Sequence, residues 1–106
     1  MSKYNFINAG SKFAEWDLLK EKLAMLIRME DESRHNMMEH SILLLTQILE
    51  DSEEVKPINF SERLEFIKKN THNYTSFRQL EELFKETKKK IAVKRIMGNK
   101  QLNRWD

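Results

Sequence analysis

A chain of 106 residues, 40% hydrophobic and 34% charged, has room for one small packed domain and is too apolar to be disordered. Two glycines and one proline are too few for the turns of an all-β domain, and the absence of cysteine excludes disulfides, thiolate nucleophiles and thiolate metal sites. The net charge of +2 hides an asymmetry: residues 1–84 hold 11 Lys/Arg and 15 Asp/Glu, a net of −4, whereas residues 85–106 hold 8 and 2, a net of +6.

The opening stretch MSKYNFINAGSKFAEW lacks the apolar core of a signal peptide, and uninterrupted apolar runs such as Ile42 to Leu45 are far short of a membrane span. The expectation is a soluble, cytoplasmic protein with no membrane segment. At about 100° per residue, Trp16, Leu19, Leu23, Leu26 and Ile27 share one side of a helix near 11–30, with Phe13 and Ala24 at its edge. Ser11 after Gly10 is the expected N-cap. The same phase puts Glu30 in the middle of the apolar face, so the helix should end between Met29 and Asp31. A narrower line, Leu18, Met25 and Met29, runs down the other side and offers a contact for a second element or for a homodimer.

A second helix is expected near 33–50, with Asp31 or Ser33 at its start. Met37, Met38, Ser41, Ile42, Leu44, Leu45, Ile48 and Leu49 give it a broad buried face. No Gly or Pro separates it from the first helix, so one long bent helix is the alternative. The acidic stretch from Glu50 to Pro57 reads as a linker, because the residue before a proline is biased away from helix. A third helix near 60–69 follows, with Asn59 and Glu62 at capping-box spacing and Phe60, Leu64 and Ile67 buried. Asn70 to Ser76 is a turn rich in residues that bond their own backbone.

The last helix is expected near 76–97. Phe77, Leu80, Leu83, Phe84 and Ile91 lie on one side, and then Val93, Ile96 and Met97 point the opposite way. Either the helix divides near Lys88, within Thr87 to Lys90, or its last turns present an apolar surface to something else. Gly98 is the expected stop. The result is an all-α fold, a single bundle of four or five helices over residues 1–106.

Catalytic signatures are missing. There is no phosphate-cradling glycine loop, no Gly-x-Ser-x-Gly elbow and no His-Glu-x-x-His, and His72 in its polar turn has no specified nucleophile beside it. A non-enzymatic protein without a cofactor is expected. Glu32-x-x-His35 with Glu39 has the spacing of carboxylate-bridged metal sites, but the second Glu-x-x-His that such a site needs is absent. A solvated acidic face carrying histidine is the plainer reading of those three residues.

The basic segment 85–105 carries the functional signal. Lys85, Lys88, Lys89, Lys90, Lys94, Arg95, Lys100 and Arg104 would attract phosphates, and six lysines to two arginines suit backbone contact better than base reading. Trp105 is a candidate for stacking on a base or for docking on the bundle. A helix-turn-helix fits poorly, since Glu82, Glu86 and Lys88 fall on its core positions and Thr87 where Gly is favoured. Two partners follow: nucleic acid or a nucleoprotein complex bound with little sequence specificity, or an acidic protein surface. The rival reading is an interaction module acting on one protein through the methionines Met25, Met29, Met37 and Met38 or through the acidic 50–54 loop.

Overall fold

The first helix, α1, runs Ile7–Arg28, and buries Ala9, Phe13, Trp16, Leu23 and Ile27 at helical spacing. The structure is a computed structural model; it describes residues 7–50 and 52–103, with side chains described for 9–50 and 52–94. The helix therefore begins before Ser11, which is an exposed interior position rather than the expected N-cap. Gly10 is also inside the helix, facing solvent, and a Cβ built on it would meet nothing within 4 Å.

The end of α1 is set by Glu30, whose φ of 55° is left-handed. Its amide bonds the Ile27 carbonyl at 3.1 Å and the Asp31 amide bonds the Leu26 carbonyl at 2.9 Å, the paired closure of a Schellman motif. Glycine is the usual occupant of that position because a Cβ is strained there. The sequence thus uses a charged residue, excluded from the apolar face, as its stop.

The second helix, α2, runs Ser33–Leu49, so residues 7–49 form two helices and not one bent one. The Asp31 carboxylate accepts from the Ser33 amide at 2.9 Å and from the Ser33 hydroxyl, and these bonds hold its pKa below the ordinary value. Met38, Ser41, Ile42, Leu44, Leu45, Ile48 and Leu49 are buried, the broad face anticipated for the central helix.

The stretch after α2 is not a free linker. A short 3-10 turn, Glu53–Val55, packs against the last helix with Val55 only 1% exposed, and Ser52 and Pro57 are buried too. The third helix, α3, runs Phe60–Lys69. Asn59 before it is left-handed, at φ 57°, and makes no side-chain cap bond, so the expected capping box with Glu62 does not form. Asparagine tolerates that backbone region better than most residues, which is its use here.

The fourth helix, α4, is Tyr74–Asn103, starting two residues before the expected position. Asn73 caps it, its side-chain oxygen accepting from the Ser76 amide at 2.8 Å. No break occurs near Lys88, and Gly98 does not stop the helix. Phe77, Leu80, Leu83, Phe84, Thr87 and Ile91 are all buried, so the inward stripe continues through Thr87, which is fully enclosed. Val93 is 50% exposed, as a straight helix requires.

Among the described residues there are four α-helices and no strand. Helix α4 touches α1, α2, α3 and the 3-10 turn, while α2 packs chiefly on α1. The α1–α4 contact is aromatic: Trp16 stacks on Phe84 with ring centroids 4.2 Å apart and planes 6° apart, and Phe13 meets Phe84 edge-on at 6.2 Å. Thirty helical residues span about 45 Å. That length contributes most of a long axis of 57 Å, and the radius of gyration of 15.5 Å is above the value of about 13 Å for a compact chain of this size.

Replacing Gly10 with Ala in an exposed helix interior with open space should stabilise the protein by about 0.5–1 kcal/mol. A rise in the urea midpoint checks this, and no gain would mean that α1 begins after Gly10.

Candidate anion-binding surface on α4

Helix α4 sorts its lysines by direction. With Leu80, Thr87 and Ile91 turned inward, Lys85, Lys88 and Lys89 fall at i, i+3 and i+4 on the exposed side. Lys90 and Lys94 lie on another side and are partly buried. Lys85 stands 3.9 Å from Glu82, a loose pair in which both side chains are at least half exposed. The Lys88 ammonium lies 5.9 Å from the centroid of the Phe13 ring.

Glu86 is the one acidic residue between Lys85 and Trp105. Its carboxylate is gripped by Arg63 of α3 in a two-bond fork, Nη1 to Oε1 at 3.0 Å and Nη2 to Oε2 at 2.6 Å. Arg63 also bonds the Ile58 carbonyl at 3.1 Å, which fixes the guanidinium where α3 begins. The Arg63 hydrogen bonds hold the Glu86 carboxyl below its ordinary pKa, and the same bonds raise that of Arg63. The negative charge in the basic segment is therefore already matched, and Lys85, Lys88 and Lys89 face solvent beside it.

Of the other expected site residues, Arg95 and Lys100 lie on α4 but outside the described side chains. Arg104 and Trp105 lie outside the described residues altogether. The Glu32, His35 and Glu39 set does not assemble. Glu32 and Glu39 are exposed, and the His35 Nδ1 instead meets the Thr71 hydroxyl at 3.0 Å. Among the described residues no three His, Cys, Asp or Glu side chains come together as a metal site. His40 pairs with Glu15 of α1 at 2.7 Å.

The junction methionines divide: Met38 is in the core, Met37 is half-buried, and Met25 and Met29 are exposed with Leu18 on the outer side of α1. In the acidic loop Glu53 bonds Lys56 at 2.7 Å. Among the described residues no helix is long and apolar enough to cross a membrane.

The Arg63–Glu86 pair sets a pH dependence. A carboxyl whose pKa is lowered by folding adds stability above its unfolded pKa, near 4.5, and loses it as pH falls through the folded value. Glu86→Gln should cost about 1 kcal/mol at pH 7, a figure reduced for the exposure of the pair. Urea titrations should show the gap between the two proteins closing below pH ~4.5.

A family model described as YpoC-like protein matches residues 8–99, a stretch that takes in all of α2 and α3 and most of α1 and α4. No curated protein and no solved structure matches the chain. On the extent of that match, the chain belongs to the family of YpoC-like proteins.

Proposed function

We propose that the protein is a non-enzymatic accessory factor that binds nucleic acid, alone or in a nucleoprotein complex, through the phosphates and with little sequence specificity. The observation that carries this reading is the exposed trio Lys85, Lys88 and Lys89 beside a Glu86 whose charge Arg63 has taken up. Ammonium groups on flexible stems suit phosphate contact, which is sequence-blind, more than base recognition. The continuation of α4 to Asn103, through Lys94, Arg95 and Lys100, extends the basic segment along one rigid element. A cytoplasmic location, where such a partner is available, is part of the proposal.

A second reading, contact with another protein, rests on Leu18 and Met25 of α1 and Met29 just after it, which are 81%, 48% and 66% exposed. A second copy of the chain or another apolar surface would cover these residues. Solution mass after nuclease treatment separates the two readings: a monomer that retains nucleic-acid binding favours the first, and a stoichiometric protein complex favours the second.

The test of the leading reading is binding of random-sequence duplex DNA and RNA, followed by anisotropy across a salt series. Binding should weaken linearly in log–log form, and replacing Lys85, Lys88 and Lys89 together by Ala should flatten the duplex slope by up to about 2.7, or 0.9 per lost phosphate contact. Near-UV dichroism of Trp16 checks that the variant still folds. Absence of binding at low salt, or an unchanged slope in the variant, contradicts the reading.

A further inference from the structure

Two of the three histidines, 37 positions apart in sequence, meet where the α1–α2 turn faces the α3–α4 turn. The His35 and His72 ring centroids are 6.0 Å apart with planes tilted by 41°. One imidazole comes from the first turn of α2 and the other from the turn before α4. A transition metal sits about 2.0–2.1 Å from a ligating ring nitrogen, hence about 3.2 Å from the ring centroid. Two imidazoles sharing one metal therefore have centroids about 4.5 Å apart at the right angle of square-planar or octahedral sites, about 5.2 Å at a tetrahedral angle and about 6.4 Å at a linear one. The observed spacing falls inside that window.

The surroundings offer an orienting partner and balance the charge. The His35 Nδ1 lies 3.0 Å from the Thr71 hydroxyl, and in the tautomer that carries its proton on Nδ1 the Nε2 lone pair is available to a metal, the outer-shell arrangement common to metal-ligating histidines. The facing positive group is Arg34, whose Nε bonds the His72 carbonyl at 3.2 Å and whose Nη1 bonds the Asp31 carbonyl at 2.8 Å. The Asp31 carboxylate, held ionised by Ser33, and the exposed Glu32 offset it. Lys68 and Lys69 in the last turn of α3 are exposed.

We propose that His35 and His72 form a two-nitrogen site for a divalent transition metal of the Ni²⁺, Cu²⁺ or Zn²⁺ class, clamping α2 to the turn before α4, with water completing the coordination. Imidazole pairs favour these cations over Mg²⁺ and Ca²⁺, which prefer oxygen. Among the described residues no third protein ligand joins them, so the site is open and exchangeable, not a buried structural centre. The inference is independent of the nucleic-acid reading.

The experiment is thermal unfolding of the full chain at neutral pH with NiCl₂ or ZnCl₂, and with MgCl₂ as control. A metal that binds only the folded form should raise the melting temperature by about 5 °C at a free concentration of roughly ten times its Kd, and further as the metal is increased. His35→Gln and His72→Gln should each abolish the shift, and His40→Gln, away from the pair, should retain it. His72 is exposed, so its replacement leaves the fold intact. No shift at millimolar nickel or zinc overturns the proposal, as does a shift that survives in either pair variant or is lost in His40→Gln.

Discussion

The flat contact between Trp16 and Phe84 is the constraint on which the rest of the architecture depends. An indole at 3% exposure and a phenyl ring at 2% lie face to face, with Phe13 edge-on to Phe84 and Phe77 tilted against the indole at 6.2 Å. Aromatic rings of this size bring the largest apolar areas available to a small core, and their preferred geometries fix direction as well as proximity. Once α1 is held to α4 in this way, α2 fills the remaining side with Leu45, Ile48 and Leu49, and α3 lies along α4. The rotation of α4 about its own axis is then set, and with it the direction of the described lysines, Lys85 to Lys94.

The same rotation explains why the basic segment behaves as two groups. Thr87 occupies the inward position between Leu83 and Ile91 at no measurable exposure, which turns Lys85, Lys88 and Lys89 outward and leaves Lys90 and Lys94 partly covered. Arg63 takes Glu86 from the α3 side. The functional reading rests on that sorting and not on the total of positive charges: an exposed trio next to a neutralised carboxylate is a surface, whereas eight charges spread around a helix are only a composition.

Much of this was legible in the sequence, for identifiable reasons. The broad face of α2 was readable because seven inward positions repeat without a polar interruption other than Ser41, whose hydroxyl bonds the Met37 carbonyl of its own helix. The end of α1 was readable from Glu30, since a charge cannot continue an apolar face. The start of α1 was not, because Gly10–Ser11 resembles a boundary and only packing by Ala9 and Phe13 carries the helix through it. The continuity of α4 was obscured by Thr87, a polar residue in a buried stripe, followed by three lysines. The Asn73 cap was hidden among several turn-forming residues that could each have served.

The site was legible as charge but not as geometry. Nothing local in the sequence joins Arg63 to Glu86 across 23 positions, or His35 to Thr71 across 36. The Glu-x-x-His spacing pointed to His35 together with Glu32 and Glu39, whereas the residues that approach it, Thr71 and His72, come from a turn in the other helical hairpin. Such pairs are products of tertiary packing, which periodicity cannot read.

The central claim is that α4 is one uninterrupted helix through Thr87 to Lys90, and native-state hydrogen exchange of its backbone amides tests it most directly. The account predicts continuous protection from Leu80 to Ile91, with the amides of Thr87, Lys88, Lys89 and Lys90 exchanging only in the openings that release Leu83 and Phe84. Loop-like exchange confined to Thr87–Lys90, flanked by protected amides on either side, would divide the helix there and contradict it.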